Sequence, residues 1–383
     1  VGYARYRLGY LAETQVRFAP MQMPEKQLKA ALNQRLDFLE PLSRAYSSAV
    51  EAGGPWGVAS LNRLATWAVN FADEVDQIPP ASGASPEKIK EFRKNLRSVS
   101  DPLRQKGIAT WIDAFRKGSA DEALSPVLPE ISDRLSDARV SAYFRAQGSS
   151  GHFLLAGIPA DGGSDGGDAI KKIREKLLKN AQDSQAWVDY GNLLWGNRKP
   201  LLSKIAYRQA MRLNSKNPAA LNNSAVVLLS SDGEEDWFVA ATGNQLLREA
   251  LRLDPGFGAA KYNRAMLLNY YRLFGRARAH WEHLSGSMSK LADVHLGMAI
   301  ALQGTGQLSS AEVEFKKAVE LGASKSKFPY AYHLAARSSV HGKKGADQCF
   351  SELSDLSGGD LVGFEKAAFD YLKGKCNLWK EKN

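Results

Sequence analysis

Three groupings in this chain have the residue types that chemistry requires. They are His280 and His283 with Glu282 between them, the acidic run Glu234-Glu235-Asp236, and the cysteines Cys349 and Cys376. Histidines at i and i+3 share a helix face and supply two ligands of a zinc site, which needs three or four. No third ligand of suitable spacing accompanies them, so they read as solvated or half-buried histidines. The acidic run lies in a predicted loop insertion and reads as solvated charge, not as an acid/base couple. The cysteines lack the C-x-x-C spacing of a metal or redox site, which leaves one disulfide as their option. Helix-hairpin geometry sets Cys349 opposite about residue 367 and not opposite Cys376, so free thiols are expected. No phosphate-binding G-x-x-x-x-G-K-[ST], G-x-G-x-x-G after a strand, H-E-x-x-H or G-x-S-x-G occurs. The expectation is a protein that is not an enzyme and uses no metal or cofactor.

The elements that must carry any function are helical. The 383 residues are enough for two domains, and 44% apolar with 24% charged residues is ordinary for a globular chain. No apolar run reaches the roughly 18 residues a membrane span needs. The chain opens VGYARYRLGY, without Met, basic n-region or apolar h-region, and reads as trimmed upstream, with a signal segment or a preceding domain expected to be missing from view. The net charge of +10 is interspersed and favours anionic partners at long range. No Lys/Arg stripe interleaved with aromatics is present, so nucleic acid is not an expected partner.

Ala and Leu dominate over Val and Ile, and strand-like alternation is nearly absent. The clearest break is QGSSGHFLLAGIPADGGSDGGD, residues 147–168, which holds seven glycines and reads as a linker. Its apolar island, HFLLAGI, has two readings. Either Phe153, Leu154 and Leu155 dock on a neighbouring helix, or the island is a short extended segment occupying a groove. The expected division is an irregular long-helix domain at 1–146, a linker at 147–167 and a helical array at 168–383.

The array declares itself through a period. In GQLSSAEVEFKKAVEL, residues 306–321, Ala311, Phe315 and Ala318 fall on one helix face. A 34-residue frame starting at Ala292 carries Ala299 and Leu302 on a first helix and those three on a second. The frame from Gly258 repeats this with Ala265 and Leu268, then Ala277, Trp281 and Leu284. The frame at 218–257 carries Leu221, Ala225 and Leu228, then Leu247 and Ala250, with six surplus residues around SSDGEEDWF. The frame at 184–217 reads Trp187-x2-Tyr190-Gly191-x2-Leu194, then Ser203-x3-Tyr207-x2-Ala210. A unit kept in register over successive copies is a repeat.

These residues resemble the tetratricopeptide repeat (TPR) family, with its W-x2-L-G-x2-Y, A-x3-F and P signature. Departures are Ser203 and Gly243 at the second-helix alanine, Ser215 at the proline, and Lys261 and Arg264 at normally apolar places. A degenerate fifth copy carries Ala346, Phe350 and Leu353, and Asp360 caps a closing helix, DLVGFEKAAFDYLKG. The implied fold is an all-α, TPR-type solenoid of antiparallel helix hairpins with a C-terminal capping helix. Within the first domain, Leu8-Gly9-x2-Ala12 echoes a repeat's first helix, and a helix from about Pro24 to Gly53 is too long for an ordinary repeat.

In the family, places two, five, six, nine and twelve or thirteen of each first helix face a concave groove. Here the resemblance assigns to it Gln185, Asp189, Asn192, Trp195, Asn222, Asn223, Val226, Tyr262, Asn263, Met266, Asn269, Tyr270, Ile300 and Gln303. Asn and Gln carry both donor and acceptor and can pair with a peptide backbone, while Tyr262 and Tyr270 are expected as aromatic anchors. Asn223 is expected to face solvent. Asn192 and Asn223 match the asparagines of the family's chaperone-tail clamps, but Val188, Ala259 and Asn263 stand where those clamps place cations, so that ligand is disfavoured. The segments YARYRLGYLAE, SRAYSSAVEAGGPWGVASLNRLATWAVNFADEVDQIPP and SDPLRQKGIATW resemble delta-proteobacterial periplasmic TPR proteins, some of them associated with adventurous gliding motility. The resemblance implies a periplasmic scaffold that grips a partner peptide or protein segment within a bacterial envelope complex. The alternative is a basic surface acting on an anionic envelope polymer or lipid headgroups.

Overall fold

The computed structural model describes residues 1–22, 24–135, 153–157, 166–230 and 237–322. Among them every regular element is an α-helix. The chain divides into two compact units, Val1–Ala138 and Arg139–Asn383. The stretch expected as a linker, 147–167, falls inside the second unit, where its described part is packed. The expected fifth repeat, the closing helix and both cysteines lie outside the described residues, as does the acidic run at 234–236.

The first unit consists of α1 (Gly2–Gln15), α2 (Glu25–Ala52), α3 (Gly54–Asp76), α4 (Pro86–Ala120) and α5 (Val127–Leu135). The α2 helix runs 28 residues, where the sequence indicated a helix too long for an ordinary repeat, and α4 runs 35. Ser85 caps α4 by accepting the Lys88 amide, with Pro86 pre-set for the first turn. Leu28, Phe71, Val75, Ile78, Leu96 and Leu103 close one core between α2, α3 and α4. The echo of a repeat at Leu8-Gly9 has a physical basis, because the Tyr46 ring of α2 lies against Gly9. The Tyr46 hydroxyl donates to Glu13 at 2.6 Å, and Arg63 grips the same carboxylate at 2.6 and 3.1 Å.

Among the described residues, the helices of the second unit are α6 (Gly166–Lys179) and then four hairpins. They are α7 (Ser184–Gly196) with α8 (Pro200–Leu213), α9 (Pro218–Leu229) with α10 (Trp237–Leu253), α11 (Gly258–Tyr270) with α12 (Phe274–Ser287), and α13 (Ala292–Gly304) with α14 (Leu308–Glu320). Each helix packs on the next, and the first helices of successive hairpins, α7, α9, α11 and α13, also touch one another. They therefore form one continuous row. Asp183 and Asn217 cap α7 and α9 by accepting backbone amides.

The period arises from packing. Ala311, Phe315 and Ala318 are fully buried, as are Ala277, Trp281 and Leu284 one repeat earlier. Burying a residue such as Phe315 contributes about 1.5–3 kcal/mol, and the alanines let the partner helix come close enough to cover it. Glycine is required where the large ring arrives. A Cβ at Gly191 would lie 2.4 Å from Tyr207, and one at Gly297 would lie 2.3 Å from Trp281. The departures are also satisfied locally. Ser203 donates to the Gly191 carbonyl at 2.8 Å, and the space at Gly243 is filled by Leu229.

Candidate functional site

The row of first helices carries four asparagines that meet along one line: Asn192 on α7, Asn222 and Asn223 on α9, and Asn263 on α11. Residues 153–157 of the same chain lie across them. Asn263 clasps Leu154 at both main-chain groups, its Oδ1 accepting the amide at 2.6 Å and its Nδ2 donating to the carbonyl at 2.8 Å. Asn222 Nδ2 donates to the same carbonyl at 2.9 Å. Asn223 repeats the clasp on Ala156, accepting from its amide at 2.8 Å and donating to its carbonyl at 3.1 Å. Asn192 Nδ2 donates to that carbonyl at 3.0 Å. Using residues 154 and 156 while skipping 155 is the alternation an extended chain produces. Asn223 and Asn263 hold the same place, the sixth, in adjacent repeat frames.

The asparagines also hold one another. Asn223 Nδ2 donates to Asn192 Oδ1 and Asn263 Nδ2 to Asn222 Oδ1, each at 2.8 Å, and Asn222 Nδ2 donates to Asn223 Oδ1 at 2.9 Å. The Tyr207 hydroxyl anchors one end by donating to Asn192 Oδ1 at 2.7 Å. That bond keeps the Asn192 oxygen turned toward Tyr207 and Asn223, and its amide nitrogen toward the segment. Burial pushes the Tyr207 pKa up, with only partial offset from Ser203 and Asn223, so the hydroxyl stays protonated and donating. Between the two clasped residues, Leu155 packs with Trp187 and Trp195 against the cluster of Val188, Tyr207, Ala210, Ala220 and Val227. Gly157 follows with φ +83°, close to Asn192.

Of the residues expected in the groove, Asn192, Asn222, Asn223 and Asn263 bond the segment, and Trp195 packs on the same apolar cluster as Leu155. Asn223 is not solvent-facing but fully buried, because the main chain of Ala156 covers it. Tyr262 corrects a second expectation. It is fully buried, edge-to-face on Trp281 at 5.3 Å, with its hydroxyl 3.4 Å from Asp293. Place five holds Asn222 in one repeat and Tyr262 in the next. The short amide reaches the groove there, whereas the large ring fills the hairpin core beside Trp281. Val226 is likewise buried.

The remaining candidates make none of the six hydrogen bonds to the segment. Gln185 is bonded to Asp189 at 2.9 Å, and Met266, Tyr270 and Ile300 are half-buried. Asn269 donates to the Gly297 carbonyl at 2.8 Å, tying α11 to α13. The Asn269 and Gln303 side-chain oxygens are buried without a hydrogen-bond partner among the described residues. His280 lies 3.0 Å from an Arg264 guanidinium nitrogen. Sequence reasoning missed Tyr207 as a positioning residue. Its one signal was a hydroxyl-bearing ring at a place where the repeat signature has Phe.

The chain is similar to several solved structures. Over 52% of its length it aligns with 99% of MamA 41-end from Desulfovibrio magneticus RS-1, at 16% identity and a TM-score of 0.38. Over 56% it aligns with the whole of YrrB, described as a TPR protein with an unusual peptide-binding site, at 13% identity and a TM-score of 0.41. Over 61% it aligns with 97% of Pseudomonas aeruginosa PilF, at 18% identity and a TM-score of 0.45. No family model and no curated protein matches the chain.

Proposed function

We propose that the second unit is a non-catalytic, TPR-type interaction scaffold that grips a partner protein by the main chain of an extended segment. The asparagine row carries this reading. Its four carboxamides make six hydrogen bonds to the main chain of two alternate residues. Main-chain bonds supply affinity in such recognition, and pockets for the alternate side chains supply selectivity. Here the selective contact is the apolar cluster on which Leu155 packs.

The resemblance of the N-terminal segments supports placing this scaffold in a bacterial envelope, and for some of its likenesses in a gliding-motility complex. Fractionation of cells carrying the protein tests the placement, and recovery in the cytosol alone contradicts it. The mechanism is tested by capture from envelope extract, with the Asn223→Ala/Asn263→Ala pair beside the wild type. A partner held by the wild type through 0.5 M salt and lost by the pair supports the groove. A partner held equally by both, and released by salt as surface-charge contacts are (Debye length roughly 3–8 Å in this range), points to the basic surface and an anionic polymer or lipid.

A further inference from the structure

Resting on the groove reading, we infer that residues 153–157 are a built-in competitor that occupies the site, and that the partner segment is one able to replace them. The first support is that the groove does not depend on its occupant. The asparagines are linked to one another and to Tyr207, so the clasp geometry persists when the segment leaves. The second is that the occupant is lightly held. Phe153, Leu154, Leu155 and Ala156 are only half-buried and Gly157 is exposed. All six of the hydrogen bonds to the row are made by main-chain atoms that any other extended chain also has. The third is covalent tethering. A segment in the same chain competes at an effective concentration on the order of 1 mM, which holds back weak ligands and yields to tighter ones.

The seated residues define the partner's chemistry. The residues equivalent to 154 and 156 each donate an amide, so neither is proline. The intervening residue is apolar, because Leu155 packs against the buried cluster that contains Val188 and Tyr207. After the second clasped residue comes glycine. The backbone at Gly157 has φ +83°, and a Cβ there would lie 3.2 Å from Asn192 Nδ2. Among the described residues, the side-chain hydrogen bonds to the segment come from asparagines, which carry no charge. The ligand class is therefore an uncharged, extended segment of the pattern X-apolar-X-Gly, with neither X proline, on a partner chain.

The test uses the full chain and a fluorescent HFLLAGI peptide read by anisotropy. Leu154→Pro/Ala156→Pro removes both clasped amides in cis and leaves the groove untouched. The peptide is expected to bind this variant at least tenfold more tightly than wild type, and to lose that binding when Asn223→Ala/Asn263→Ala is added. An HFPLPGI peptide should not bind. If the proline pair does not fold, Leu155→Ser empties only the apolar seat, with an expected gain of about threefold or more. Equal binding to wild type and to the opened variants overturns the competitor while leaving the groove intact. No binding to opened variants that still capture the partner through Asn223 and Asn263 overturns the inference and keeps the scaffold. A wild-type mass in light scattering of twice the monomer, falling to one in the proline pair, reassigns the segment to the groove of a second copy and overturns occupation in cis.

Discussion

Asn223 and Ala156 form a two-point clasp across 67 residues of chain: the carboxamide oxygen accepts the Ala156 amide at 2.8 Å and its nitrogen donates to the Ala156 carbonyl at 3.1 Å. A side-chain amide thus pairs with the backbone as a neighbouring strand would. Because Asn223 is fully buried and also bonded to Asn192 and Asn222, Asn223→Ala leaves several polar atoms short of partners. The expected loss is about 1–3 kcal/mol, read by chemical denaturation. A stability equal to wild type would contradict the clasp.

Tyr207→Phe keeps the ring that packs on Gly191 and deletes only the hydroxyl that orients Asn192. Stability should fall by about 0.5–1.5 kcal/mol, while capture of an extended peptide falls several-fold. Unchanged capture would show that Asn192 needs no anchor.

Tyr262→Ala separates core from groove. The residue is fully buried against Trp281, so its removal opens a cavity costing about 3–5 kcal/mol. A large drop in melting temperature is expected. A variant as stable as wild type that has lost only partner binding would return Tyr262 to the groove.

Glu314 supplies a pH dependence. Burial pushes its pKa up, but hydrogen bonds and charge from His295 and Lys317 outweigh this and hold it below the ordinary value of 4.5. His295 Nδ1 lies 2.6 Å from Glu314 and Nε2 lies 2.8 Å from the Ser289 carbonyl. A carboxyl with a depressed folded-state pKa contributes stability that is present above the unfolded value and lost as pH falls through the folded one. The melting-temperature difference between wild type and Glu314→Gln should be full at pH 6 and shrink from about pH 4.5 downward. A difference that grows with acidification contradicts this pairing.

Much of the second unit was legible in the sequence, because its core is made of side chains that recur. Ala311-Phe315-Ala318 and Gly191 with Tyr207 mark where rings and small residues must meet, and the frame puts Asn223 and Asn263 at one place. The occupant was harder to read. A segment recognised through its main chain carries no side-chain signature beyond Leu155, so HFLLAGI was compatible with ordinary docking on a helix. Tyr262 misled because a place on a helix fixes direction, while side-chain size decides whether it ends in a groove or a core.

Amide hydrogen exchange at residues 153–157 tests the central claim most directly. If the asparagine row grips alternate main-chain groups, the Leu154 and Ala156 amides exchange slowly and the Leu155 amide exchanges fast. In Asn223→Ala/Asn263→Ala, the two slow amides should join the fast one, with the helices of the array still protected. Fast exchange at Leu154 and Ala156 in the wild type, or slow exchange that persists in the double variant, contradicts the account.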